Sequence, residues 1–242
     1  MSEEPVLISL GYNCEVSFRL EDYFGGLDSY LFSWSYEEDR ELFLKALKNT
    51  DDVFSGNVSL RDDHMFADET YKIKFHPRYD ILSKSGAYTQ KNYDEALSEL
   101  QSRIKHLKEK TKELFASGRK VIFLVKVQDF GEEKNIKYIK ALSNVLKEVV
   151  ISGNFLLVAV LEKKNITKKI SELEDSILRI RTVKKFAPVK HTDIWGDVKG
   201  WYKILFEFSQ NDGRCYFKNV RDRRVKIIPK MIIGKIRRIF KK

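Results

Sequence analysis

In Ser9-Leu10-Gly11-Tyr12-Asn13-Cys14 a cysteine ends a tight loop between an apolar run and a helical pattern. A thiol at the start of a helix faces unpaired backbone amides and the positive end of the helix dipole, and both favour thiolate over thiol. Gly11 lets the loop turn sharply, and the amides after Cys14, with or without the Asn13 side chain, form a candidate oxyanion hole. The competing reading is structural: free cysteine is among the most buried residue types, and Cys14 could simply fill a strand-to-helix junction.

A nucleophilic cysteine generally needs a base, and the chain offers His64, His76, His106 and His191. His106 lies within a charged helical run, and His64 follows Arg61-Asp62-Asp63 in a turn-like segment. His76 ends an alternating stretch and precedes Pro77, which disfavours helix and puts it at a strand end. His191 sits in a loop entering a helix, within Pro188 to Trp195. On spacing alone His76 and His191 are equal candidates. Two cysteines, Cys14 and Cys215, and scattered histidines give neither a disulfide framework nor zinc spacing. No P-loop and no G-x-G-x-x-G follows a strand, which argues against a familiar nucleotide site; neither a metal nor a cofactor is expected.

The elements that must position these residues can be read from periodicity. Val6 to Leu10 predicts a short buried strand, and Val16, Phe18, Leu20 and Tyr23 predict a helix that Gly25-Gly26 ends. A second helix is expected from about Glu37 to Leu47. Tyr71, Ile73 and Phe75, separated by Lys72 and Lys74, have the period of a half-exposed strand. A long amphipathic helix over Tyr93 to Phe115 is closed by Gly118. Strands at Val121 to Val127, Phe155 to Leu161 and Ile177 to Val183 then alternate with a helix at Glu133 to Val149 and a polar helical stretch around Lys168 to Leu173. A last helix runs from about Gly196 to Phe208. This alternation predicts a three-layer α/β fold, a mainly parallel sheet flanked by helices, over residues 1–212.

Residues 213–242 form a basic amphipathic tail. The whole chain carries a net charge of +10, but Arg214 to Lys242 alone contributes 12 basic residues and one acid, leaving 33 basic and 34 acidic residues before it. A neutral body argues against a dedicated nucleic-acid binder. Ile228, Ile232, Ile233, Ile236, Ile239 and Phe240 share one helical face, while Lys230, Lys235, Arg237, Arg238, Lys241 and Lys242 lie opposite or along its edge. Such a helix suits an anionic membrane surface, and the alternatives are docking on its own domain or RNA. The N-terminus lacks a basic n-region and a long apolar core, and no run approaches the roughly 18 apolar residues of a span. A cytoplasmic protein, peripheral on the inner membrane face, is the expectation.

Ile8 to Cys14, Leu31-Phe32-Ser33-Trp34, Asp68 to His76, the strands Val121 to Val127 and Asn154 to Val160, and Asp193-Ile194-Trp195-Gly196 with Trp201 together resemble the family of papain-like cysteine peptidases of bacteria and viruses. The resemblance spans roughly residues 6–208 and keeps the family's order. It implies Cys14 as nucleophile and His76 as base. The family reads Phe-Asp-Trp where this chain has Phe32-Ser33-Trp34, and His-Asp-Phe where it has His76-Pro77-Arg78. Asp193 is then the remaining candidate to orient the imidazole, its alternative being a helix N-cap. Papain's catalytic domain pairs a helix with an antiparallel barrel, whereas strand-helix alternation here favours a parallel sheet. The activity implied is a cysteine-dependent hydrolase or acyltransferase. Relatives also associate with glycan biosynthesis, so the second reading is an accessory or transferase protein of cell-surface polysaccharide assembly.

Overall fold

The computed structural model describes residues 5–25, 28–61, 65–77, 90–187 and 196–208. Four strands, β1 (Val6–Leu10), β6 (Val121–Lys126), β7 (Phe155–Glu162) and β8 (Leu178–Val183), form one all-parallel sheet in the order β1-β6-β7-β8. All six residues of β6 are buried. Their side chains alternate between two cores: Val121, Phe123 and Val125 join one cluster, Ile122 and Leu124 the other. A strand covered on both faces reads as a continuous apolar run, which is why Val121 to Val127 shows no alternation.

Helix α1 (Glu15–Phe24) and the last helix, α6 (Val198–Phe208), cover one face through Val16, Leu20, Trp201 and Leu205. The opposite face carries α2 (Arg40–Lys48), α3 (Gln90–Ala116) and α4 (Glu132–Val149), through residues such as Phe43, Leu100 and Leu142. A short helix, α5 (Lys168–Ser171), precedes β8. Local signals fix several ends. Gly25 closes α1 in the left-handed region at φ 81°, its N–H donating to the Glu21 carbonyl. Asp39 caps α2 by accepting from the amides of Glu41 and Leu42 at 2.8 and 2.9 Å.

Between α1 and α3 the chain builds a second, antiparallel sheet: β2 (Ser35–Glu37), β3 (Val58–Leu60), β4 (Phe66–Asp68) and β5 (Ile73–Phe75), in the order β2-β5-β4-β3. Its strands are three residues long, too short for alternation to announce them. The expected half-exposed strand is corrected here: all of β5 is buried, and Lys72 lies outside it at φ 53°. Lys74, only 9% exposed, packs its ammonium 4.6 Å from the Tyr36 ring centre and 3.2 Å from Glu38. A lysine in a strand thus does not mark a solvent face when its amine finds a ring and a carboxylate. Two segments expected to bear on function, 188–195 and the tail 209–242, lie outside the described residues.

Candidate active site

The chain leaving β1 enters α1 on one face of the parallel sheet, and the chain leaving β6 enters α4 on the other. Strand ends whose connections diverge in this way open a crevice at the carboxyl edge of an α/β sheet, the usual place for a ligand. Gly11 to Glu15 and Lys126 to Phe130 both fall there.

Gly11 at φ 50° and Tyr12 at φ 57° are both left-handed. For Gly11 this is obligatory on two counts, since a Cβ would lie 2.7 Å from Glu37 Oε2 and 2.8 Å from Phe43 Cζ. The Asn13 amide donates to the Gly11 carbonyl at 2.9 Å, tightening the turn. Cys14 then occupies the N-cap of α1, as the sequence predicts, but gives the helix no side-chain cap. Asn13 performs that role instead: its Oδ1 accepts from the Glu15 amide at 3.0 Å. The first amide of the expected oxyanion hole is therefore already engaged, by the side chain expected to help form the hole.

Cys14 Sγ is directed at the Trp34 carbonyl, 4.0 Å away. Burial pushes this thiol up to about 11, the reverse of the lowered value expected at a helix start. Cys14 is only half-buried, yet desolvation of a thiolate there outweighs the helix terminus, and the Trp34 carbonyl facing the sulfur repels an anion.

His76 follows β5 directly and is half-buried. Its carbonyl accepts from the Arg103 guanidinium, which ties this strand end to α3. The β2-β5 pairing ends with Ser35 opposite Phe75, so Trp34 precedes and His76 follows that last pair. Trp34 also carries the carbonyl that Cys14 Sγ approaches at 4.0 Å. Asp193, the candidate orienting carboxylate, and His191, the competing base, lie outside the described residues, as do His64, Cys215 and the tail cations Lys230, Lys235, Arg237, Arg238, Lys241 and Lys242.

Two carboxylates flank the loop that sequence reasoning did not single out. Glu15, 6% exposed, accepts from Lys126 Nζ at 2.7 Å, from Trp201 Nε1 at 3.0 Å and from the Ala187 amide at 3.0 Å. It joins α1, β6, α6 and the segment after β8 at one point. Lys126 is 2% exposed, and its amine also lies 4.5 Å from the Phe186 ring centre; burial lowers its pKa against the pull of Glu15. Partners 111 and 186 residues away in sequence left no local signal of this hub.

Glu37, 3% exposed, is the second. Burial raises it from 4.5 to about 8, against the Arg40 guanidinium, the Tyr138 hydroxyl and the Tyr12 amide, which pull it down. The Tyr138 hydroxyl stands 3.4 Å from both carboxyl oxygens. Arg40 does not close on Glu37: it donates to Asn135 Oδ1 at 3.0 Å and to the Gln128 carbonyl at 2.9 Å, lying between the rings of Phe130 and Tyr138. The Tyr12 hydroxyl is itself pushed up to about 12 by burial, then by Tyr36 and Glu37.

Among the described residues no group of three or more His, Cys, Asp or Glu side chains could hold a metal ion, and no helix is long and apolar enough to cross a membrane. No family model, no curated protein and no solved structure matches this chain.

Proposed function

We propose that the protein is a cysteine-dependent hydrolase or acyltransferase in which Cys14 attacks an acyl carbon and His76 moves the proton. The observation that supports this reading is that Cys14 Sγ approaches the carbonyl of Trp34, the residue before β2, whose first residue pairs with the one before His76. The resemblance of the Cys14 and His76 segments to papain-like peptidases adds to it. With the thiol at about 11, the resting enzyme holds almost no thiolate at neutral pH. Substrate entry must therefore bring the imidazole to the sulfur: the thiol proton passes to His76, sulfur bonds to the acyl carbon, and the leaving group departs with that proton. Water then splits the thioester, or another nucleophile takes the acyl group.

The same burial favours the second reading, an accessory or transferase protein of cell-surface polysaccharide assembly in which Cys14 only fills the loop. Under either reading iodoacetamide should alkylate Cys14 at least about tenfold more slowly than a free thiol at pH 8, because a raised pKa lowers the thiolate fraction more than it raises nucleophilicity; turnover separates them. Turnover of a panel of activated esters and amides should fall by about 10³-fold in Cys14→Ala and by about 10²-fold or more in His76→Ala. If wild type and Cys14→Ala turn over the whole panel equally, the hydrolase reading is wrong.

The body is further proposed to attach reversibly to anionic membrane through residues 227–242. Each tail cation contributes roughly 1 kcal/mol near such a surface, so binding to vesicles containing phosphatidylserine should weaken steeply with salt. Binding unchanged by truncation after Gly213 would exclude the tail as the anchor.

A further inference from the structure

β1 stands at the edge of the parallel sheet, and beside it, between β1, α1 and residues 28–34, lies a cavity of about 130 Å³. Ser9 lines it, is 1% exposed, and its Oγ has no hydrogen-bond partner. A buried hydroxyl left unpaired is costly, and its occurrence on a cavity wall points to an absent partner. Among the other lining groups, the Ser17 hydroxyl spends its proton on the Ser33 carbonyl, leaving its lone pairs, the Ser29 and Ser33 hydroxyls accept from the Trp34 indole and the Tyr30 amide, and Glu21 and Asp28 add carboxylates. Among the described residues no lysine or arginine lines the cavity; Lys110 reaches Asp28 at 3.1 Å from outside it. Trp34 supplies an indole, fixed by its Nε1 donating to Ser29 Oγ at 3.0 Å and by Phe18 packing edge-on at 5.1 Å. Leu7 and Leu20 complete an apolar wall.

We propose that this cavity binds the ammonium end of a short primary alkylamine, either free or as the end of a larger molecule. A primary ammonium brings three donors to an acceptor-rich, cation-free lining, and an indole favours a cation over a neutral group. An anion would meet the Glu21 carboxylate and an Asp28 carboxylate already paired with Lys110, with no cation of the described lining to receive it. The leucines fit the alkyl stem, and the volume suits a group of about six heavy atoms, close to what a cavity of about 150 Å³ holds as benzene. The site does not depend on the Cys14 thiol reacting.

The test is titration of the full-length ¹⁵N-labelled chain with n-butylammonium, against n-butanol and butyrate as size-matched probes, read at the Trp34 indole N–H resonance assigned with Trp34→Phe. Butylammonium should give a saturable shift with Kd of roughly 1 mM, butanol at least about tenfold weaker binding, and butyrate none. Ser9→Val and Glu21→Gln should each weaken the ammonium by about fivefold to tenfold. Cys14→Ser should bind as wild type does, so that failure of the catalytic reading and failure of this one stay distinct. Equal response to butanol and butylammonium, a shift that never saturates, or unchanged affinity in both variants would mean that the cavity holds only water. Should Ser9→Val not fold, Glu21→Gln, on the exposed side of α1, decides alone.

Discussion

Glu15 and Glu37 flank the same loop, one on each side of Gly11 to Cys14, and each is almost sealed from solvent. Glu15 meets an ammonium at 2.7 Å and two further donors, an indole and a backbone amide. Glu37 has a guanidinium in its neighbourhood, but Arg40 gives two of its donors to Asn135 and the Gln128 carbonyl and makes no ion pair with Glu37, which is left with the Tyr12 amide and the Tyr138 hydroxyl at 3.4 Å. Two glutamates of like burial therefore differ in what they do. Glu15 is an anchor that ties the start of α1 to the rest of the sheet, whereas Glu37 is a proton store, raised to about 8. Equal burial does not give two carboxylates the same role; the donors each one meets, and how close they come, do.

The largest effect should come from breaking the anchor. Glu15→Ala leaves Lys126 charged and buried without its partner, and unfolding in urea should show a loss of about 3–5 kcal/mol. Adding Lys126→Met should restore most of it, because a well-packed apolar pair commonly equals a buried ion pair. A loss below about 1 kcal/mol in the single variant would show that the hub contributes little.

A smaller effect, with a distinctive pH signature, is expected at the proton store. The folded pKa of Glu37, about 8, lies above the ordinary 4.5 of the unfolded chain, so between these values the native state holds a proton that the unfolded state has released. Its contribution to stability is fully present below about pH 4.5, declines as pH rises, and is lost above about 8. Glu37→Gln, which keeps the shape and removes the titration, should flatten the fall in Tm between pH 5 and 8 and be more stable than wild type at pH 8.5, by about 1–3 kcal/mol. Parallel Tm profiles in the two proteins would show that Glu37 ionises normally.

Much of the parallel sheet was legible because β6 and β7 are nearly continuous apolar runs, β1 breaks its run only at Ser9, and β8 sets Leu178 and Ile180 against Arg179 and Arg181, while Gly25 and Gly118 punctuated the helical patterns between them. The antiparallel sheet was not, since three-residue strands such as Phe66–Asp68 carry too little pattern, and Lys74 looked like a solvent residue. At the site, residue chemistry marked Cys14 and its helix-start position from the chain alone. The direction of its pKa shift was misjudged for a physical reason: helix position is a local property, but desolvation is set by Trp34 and the packing around the sulfur.

By itself, then, the sequence determined which segments are strands and helices of the main sheet, that Gly11 must sit at a sharp turn, and that a lone thiol begins a helix. Those are consequences of neighbours within a few residues, where periodicity and backbone freedom act. Only the tertiary structure decided that Glu15 pairs with Lys126 and Trp201, that Arg40 makes no ion pair with Glu37, that Cys14 Sγ faces the Trp34 carbonyl, and that Ser9 faces a cavity with its hydroxyl unpaired. Each of these joins residues distant in the chain, and the burial that sets their charge and reactivity exists only once both sheets and their helices have closed around them.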